Sequence, residues 1–326
     1  MINLIVKERK LPLNILTLMA LLRRLPKNHE KRLQIMKELA RRQAGYQGEE
    51  PLDYYFFRLH DKEFMIFHDL NLPFGKFNCQ TDTLLLTKKF ALILETKNMT
   101  GTLTFDFENE QFYQTVDGKD KGYTDPVAQA EMQKACIKEF LSKYNFPSAP
   151  IDYLVVISNP YAIISFIGHN PKAKKRVCKS HNLLKKIDMI ENMHPHEILS
   201  EKELRKLSKL FIKNNTPPTV QILEKYDINK SELLTGIHCP SCEYLPIVRK
   251  KRKWYCPSCH TFSSNALKYS LVDYFLLYDS KITNHDFRIF AHITSVDAAG
   301  RHLRSASLTS SGEKKNRSYS PETIPW

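Results

Sequence analysis

Two carboxylates and a lysine stand at the ends of two short apolar runs. Asp82 opens Thr83–Leu86, and Phe90–Leu94 leads into Glu95-Thr96-Lys97. If the runs pair as an antiparallel hairpin turning at Lys88-Lys89, Asp82 falls opposite Glu95, and Lys97 shares Glu95's face two residues on. Like charges facing each other on a sheet are destabilising, so the pair calls for a compensating cation. Magnesium suits oxygen ligands and keeps several waters, which leaves room for a phosphate oxygen and an attacking water. Lys97 would orient or help deprotonate that water and offset charge developing on the phosphate. The competing reading is a surface hairpin with solvated charged ends, where an isolated Glu-x-Lys is common.

A second constellation is Cys239-Pro240-Ser241-Cys242 and Cys256-Pro257-Ser258-Cys259, two knuckles separated by thirteen residues. That spacing lets four thiolates surround one zinc tetrahedrally, a structural site with no position open to water. A redox Cys-x-x-Cys is the rival, but paired knuckles bracketing a hairpin favour zinc. His238 and His260 flank the knuckles, yet four cysteines complete the shell. Between them, Tyr244–Val248 and Lys253–Tyr255 read as strands joined by the basic turn Arg249-Lys250-Lys251-Arg252. This turn carries phosphate-directed charge, and Trp254 and Tyr255 offer rings for bases. Alternatively, the rings fill a small core and the turn faces water.

The elements that must hold these groups follow from patterning. From Leu11 to Tyr55 the pattern is helical and runs into Ala44–Glu49, where Gly45 and Gly48 weaken a helix and suggest close approach by another backbone. Tyr54–Leu59, Phe64–His68, Thr83–Leu86, Phe90–Leu94 and Thr102–Phe107 read as strands, Pro126–Tyr144 as an amphipathic helix and Ile151–Ser158 as a buried strand. This order describes an α/β unit. His181–Asn215 is charged and helical, and Pro217-Pro218 breaks it. Beyond the cysteines, Asn284–Ala291 and a helix capped by Ser295 resemble a helix-turn-helix, with Gly312–Tyr319 as the basic wing of a winged helix and Arg301 and Arg304 facing a groove. A helical appendage with a disordered tail is the alternative. The expected divisions are 1–167, 168–235 as a helical connector, 236–262 as the ribbon and 263–326 as the winged helix and tail.

The 326 residues carry a net charge of +14, which argues for a polyanionic partner, nucleic acid before an anionic membrane. No sufficiently apolar amphipathic helix supports membrane attachment. Leu11–Leu22 is too short to span a bilayer and lacks a cleavage site, so it reads as a buried helix. Seven cysteines, four of them crowded into Cys239–Cys259, suit a reducing cytoplasm.

Four segments in order, Ala44-Gly45-Tyr46-Gln47-Gly48-Glu49, Asp82-Thr83-Leu84-Leu85-Leu86, Leu92-Ile93-Leu94-Glu95-Thr96-Lys97-Asn98 and Asp125-Pro126 with Gln129, resemble the nuclease-related domain (NERD), a branch of the PD-(D/E)-x-K nuclease superfamily, over roughly Glu30–Ile167. Thr81 stands where the superfamily's name has proline. The resemblance implies a restriction-endonuclease-like mixed sheet flanked by helices, with Asp82 and Glu95 holding magnesium (or manganese) and Lys97 as the catalytic lysine. Glu49 becomes an accessory carboxylate and Gln129 a polar residue of the following helix. The expected function is metal-dependent hydrolysis of nucleic acid, double-stranded DNA first, with a homodimer allowed by analogy. The alternative is a non-cleaving DNA-binding protein on an inactive nuclease fold.

Overall fold

The chain begins with β1 (Ile5–Lys7), α1 (Leu13–Arg24), α2 (Arg32–Glu49) and α3 (Asp53–Phe57). Part of Tyr54–Leu59, expected as a strand, is therefore helical. Its buried residues recur as Leu52, Phe56 and Leu59, which is helical rather than alternating spacing. The computed structural model describes residues 5–59, 63–147, 149–216, 220–251, 253–313 and 316–321. Two units divide the chain, 1–10 with 43–218 and 11–42 with 219–326.

The first unit continues through β2 (Met65–Phe74), β3 (Phe77–Leu86), β4 (Ala91–Lys97), β5 (Thr102–Asp106), β6 (Gln111–Val116), β7 (Lys119–Tyr123) and α4 (Pro126–Lys143). It then adds β8 (Ile151–Ile157), β9 (Ile163–Ile167), α5 (Pro171–Arg176), β10 (Val177–Lys179), α6 (Leu183–Met193) and α7 (Glu201–Asn214). A six-stranded mixed sheet has the order β1-β2-β3-β4-β8-β10, and a four-stranded sheet has the order β7-β6-β5-β9. In the larger sheet β2, β3 and β4 are antiparallel neighbours, whereas β4, β8 and β10 run parallel.

Alternation along the strands covers both faces of the larger sheet. Phe67, Leu84, Ile93 and Val155 pack with Ile137 and Phe140 of α4 and with Leu204, Leu207 and Phe211 of α7. Their neighbours Ile66, Leu85, Leu92 and Leu154 pack with Phe56 and with Leu183, Ile187 and Ile190 of α6. Burial on both faces explains why these strands read as continuous apolar runs. It also makes 168–218 part of this unit rather than a connector, since α6 and α7 close its two cores.

The second unit contains α1, most of α2, α8 (Ile222–Tyr226), the ribbon strands β11 (Val248–Lys250), β12 (Lys253–Tyr255) and β13 (Phe262–Ser263), and α9 (Ala266–Leu277). After these come β14 (Ile282–Thr283), α10 (Asn284–Ala291), α11 (Val296–Ser305), β15 (Thr309–Ser311) and β16 (Ser318–Ser320). The last three strands form a sheet ordered β14-β16-β15, so the element order is that of a winged helix. Thr283 caps α10 in a capping box with Asp286, and Ser295 caps α11, as the sequence indicates. The ribbon is not a separate core: Cys239, Ile247, Trp254 and Cys256 pack in one cluster with Leu271, Phe287, Leu303 and Tyr319. Helix α1 joins this unit through Arg24, fully buried, whose Nε donates to Asp273 Oδ2 at 2.9 Å while its guanidinium lies 4.4 Å from the Phe290 ring centre. Among the described residues, no helix is long and apolar enough to cross a membrane.

Candidate active site and metal centre

The hairpin places Asp82 and Glu95 as the sequence requires. The register runs Leu86↔Ala91 through Thr83↔Leu94, and Asp82 and Glu95 are the next residues on the two strands. The Asp82 carboxylate accepts the Thr96 N–H at 2.8 Å. Glu95, 1% exposed, is held at both oxygens: Lys97 Nζ lies 2.6 Å from Oε1, and Gln133 Nε2 donates to Oε2 at 2.8 Å. Lys97 also donates to Gln129 Oε1 at 3.1 Å, and Gln133 to the Gln80 carbonyl at 3.0 Å. Helix α4 is capped by Asp125, whose side chain accepts the Val127 N–H, with Pro126 at its first position. That start sets Gln129 and Gln133, one turn apart, over the strand ends.

Glu49 arrives from the end of α2. Gly48 is required there, because a Cβ at this position would lie 2.1 Å from Asn98 Cβ, immediately after Lys97. Gly45 faces open space, so the expected close approach holds at Gly48 alone, and it is made by the Asn98 side chain. Burial pushes the Glu49 carboxyl up to about 7, with Asp69, Glu95 and Asp53 adding repulsion that Arg9 only partly offsets. Asp82 is raised well above the ordinary carboxylate range, first by desolvation and then by Glu95 and Glu49.

Sequence reasoning missed the network behind Glu49. Arg9, just beyond β1, forms an ion pair with Glu49, reaches Asp53 Oδ1 at 3.1 Å and lies 3.0 Å from His68 Nδ1. Because a guanidinium can only donate, His68 Nδ1 accepts and the ring proton sits on Nε2. Burial, then the charges of Arg9 and Lys7, lower the His68 pKa to about 3, so the ring is neutral. No local motif marks Arg9 or His68. Gln133 was legible in principle, one turn beyond Gln129 on the same helix.

Whether this site suits a divalent ion turns on its charge. Burial first and neighbouring carboxylates second raise Asp82 and Glu49, Arg9 pairs with Glu49, Lys97 occupies one oxygen of Glu95, and no ion pair reaches Asp82 among the described residues. Asp82, with no ion pair among the described residues, together with Glu95 supplies the one or two carboxylates that magnesium takes while it keeps its waters. A closed all-protein cage is absent here: among the described residues, the cysteines alone form a group tight enough to surround an ion.

Those four cysteines offer sulfurs within 4.8 Å of one another, with Cys239–Cys259 at 3.6 Å and Cys242–Cys256 at 3.5 Å. Tetrahedral zinc with bonds of about 2.3 Å separates sulfurs by about 3.8 Å, so the set fits. His238 turns away to Asp273 and Ser270, and His260 to the Tyr255 hydroxyl, so neither competes as a ligand.

The basic residues are distributed differently from the sequence reading. Arg249 and Lys250 lie on β11 rather than in the turn, which falls at Lys251; Arg252 and, in the wing, Lys314 and Lys315 lie outside the described residues. Lys250 Nζ sits 3.8 Å from the Tyr255 ring centre and the Arg249 guanidinium 5.3 Å from that of Trp254. Trp254 itself is 4% exposed and belongs to the core, which removes it as a stacking surface. Arg301 and Arg304 are exposed on α11. Trp254 also meets His302 of α11 at 6.3 Å between ring centres, and His302 is lowered by burial, then by Arg249 and Arg301. The charges of the ribbon's Arg249 and the helix's Arg301 therefore both act on one histidine.

No curated protein and no solved structure matches the chain. Residues 44–158 match the family model described as nuclease-related domain, a span that runs from the last turn of α2 through β8 and contains Glu49, Asp82, Glu95, Lys97 and Gln129. This stretch of the chain is a nuclease-related domain.

Proposed function

We propose that the chain is a metal-dependent nuclease that hydrolyses phosphodiester bonds of nucleic acid, DNA in the first instance. The observation that carries this reading is the Lys97 ammonium bridging Glu95 and Gln129 beside a carboxylate, Asp82, that has no ion-pair partner among the described residues. Asp82 and Glu95 would hold magnesium, or manganese in its place, and the ion would polarise the phosphate and supply an activated water. Lys97 orients that water and offsets charge on the phosphate oxygens, while Gln129 and Gln133 fix the ammonium and the carboxylate it contacts. Glu49 adds a third carboxylate, with Arg9 as its ion-pair partner. Zinc in the four-cysteine site supports the fold of the second unit, where Arg249, Lys250, Lys251, Arg252, Arg301 and Arg304 would contact phosphates. Seven free cysteines, four of them poised as metal ligands, accord with a reducing cytoplasm.

The winged-helix element order favours DNA binding whether or not the nuclease centre turns over, which sustains a second reading, a DNA-binding protein without cleavage. Cleavage of supercoiled, linear and single-stranded DNA by zinc-loaded protein, with magnesium, manganese or chelator, separates the two. Metal-dependent cutting lost in Asp82→Ala/Glu95→Ala supports the nuclease. Binding with no cutting by either protein selects the second reading, and cutting retained by the double variant removes these residues from the reaction.

A further inference from the structure

Strand β8 leaves the sheet through Asn159-Pro160-Tyr161-Ala162. This is a tight turn in which the Ala162 N–H donates to the Asn159 carbonyl at 3.4 Å and the Tyr161 N–H to Asn159 Oδ1 at 3.0 Å. Asparagine first and proline second are what such a turn prefers. Lys179, the last residue of β10, then clamps it: Nζ donates to the carbonyls of Asn159 at 2.7 Å, Pro160 at 3.2 Å and Ala162 at 2.5 Å. An ammonium has three donors, and all three are spent on this backbone. Tyr161 itself is 88% exposed, more than any other large apolar side chain among the described residues. Ordering a turn costs conformational entropy, and an aromatic left in water returns none of it to the fold.

The turn's position is the second observation. Lys97, Ile157 and Lys179 form one row across β4, β8 and β10, and the Ser158 N–H donates to the Lys97 carbonyl at 3.0 Å. These three parallel strands end together, and in sheets of this kind ligands gather beyond the carboxyl ends of the strands. The turn bearing Tyr161 therefore leaves the sheet between the strand that carries Glu95 and Lys97 and the strand whose lysine fixes it.

We propose that Tyr161 is a stacking platform for an unpaired nucleobase beside the nuclease centre. The preferred nucleic acid then has an unstacked base near the cut, in a single strand or in a duplex with a gap, flap or mismatch. The assignment of a cut rests on the nuclease reading above; the stacking does not. Every base presents a π-face, so the contact tolerates any sequence, whereas a fully paired base must first be extruded at a cost.

The test uses full-length, zinc-loaded Asp82→Asn protein, which keeps an oxygen for the Thr96 N–H, with oligonucleotides carrying 2-aminopurine in a single strand, in a gapped duplex or in a continuous duplex. Stacking quenches the probe in the first two. Tyr161→Ala in this background should lose the quench and roughly ten-fold in affinity for them, while Tyr161→Phe and Tyr161→Trp keep both. Equal quench and affinity in Tyr161→Ala, a loss in Tyr161→Phe as large as in Tyr161→Ala, or equal preference for the continuous duplex would each overturn the proposal. A cleavage assay of the otherwise wild-type chain runs beside it: no metal-dependent cutting with the quench intact sinks the nuclease reading alone, and cutting with no Tyr161-dependent quench sinks the platform alone.

Discussion

Lys97 Nζ lies 2.6 Å from Glu95 Oε1 on the same strand, and Glu95 is all but excluded from water. A hydrogen bond this short between opposite charges fixes both side chains, so the ammonium belongs to the site even before any ion or substrate arrives.

Replacing Lys97 with Met should therefore separate chemistry from binding. Single-turnover cleavage is expected to fall by roughly 100-fold or more, with nucleic-acid affinity changed by less than about three-fold. Arginine should rescue poorly, because a planar fork does not reproduce a point charge held between Glu95 and Gln129. Cleavage within a few-fold of wild type in Lys97→Met would take the lysine out of the mechanism.

Gln133 is 3% exposed and has one amide group donating both to Glu95 and to the Gln80 carbonyl. Gln133→Leu strands a buried carboxylate oxygen, so stability should drop by about 1–3 kcal/mol and the manganese titration midpoint should shift as Glu95 loses its anchor. A thermal melt and a metal titration check the two effects separately. An unchanged melt would mean that the Glu95 oxygen finds water instead.

The difference between Lys97 and Gln133 shows what the sequence made legible. Asp82, Glu95 and Lys97 follow from one register rule, since two apolar runs and a turn at Lys88-Lys89 dictate which residues face each other. Gln129 and Glu49 came from resemblance, and the geometry that seats them, the Asp125 cap and the bare backbone of Gly48, could not be read from local pattern. Arg9 and His68 were invisible because their partners are some 40 to 60 positions away in the chain, as in Arg9 to Glu49 and Arg9 to His68. Tyr54–Leu59 was misread as a strand because aromatic runs suit either state and burial at Leu52, Phe56 and Leu59 decided for helix. The basic ribbon turn was set a residue or two early, which put Arg249 and Lys250 on a strand and left Trp254 in the core.

Neutral, buried His68 links stability to pH. Its folded pKa near 3 lies below the unfolded value near 6.5, so between these values the unfolded chain binds the extra proton. Its contribution is present above about pH 6.5 and is lost progressively as pH falls toward 3, a few kcal/mol in all. Glu49 works in the opposite sense: its raised pKa costs stability as pH rises from about 4.5 through about 7. Denaturant melts of wild type and His68→Gln at pH 4.5, 5.5 and 7.5 isolate the histidine, and the variant should show a shallower acid-side loss. Parallel curves would mean that His68 takes up its proton at the same pH in the folded and the unfolded chain.

Zinc removal should reach further than the ribbon. Cys239 and Cys256 share a core with Leu271, Phe287, Leu303 and Tyr319, and the Trp254 ring faces His302 on α11. A hairpin of three-residue strands cannot hold itself together, so losing the metal uncovers the apolar faces of α9 and α11 as well. One zinc per chain is expected, and Cys239→Ser/Cys256→Ser should expose residues 266–305 to limited proteolysis and weaken DNA binding through Arg301 and Arg304. If that segment stays resistant and Arg301-dependent binding survives, the winged helix stands without the ribbon and the shared core is incidental to its stability.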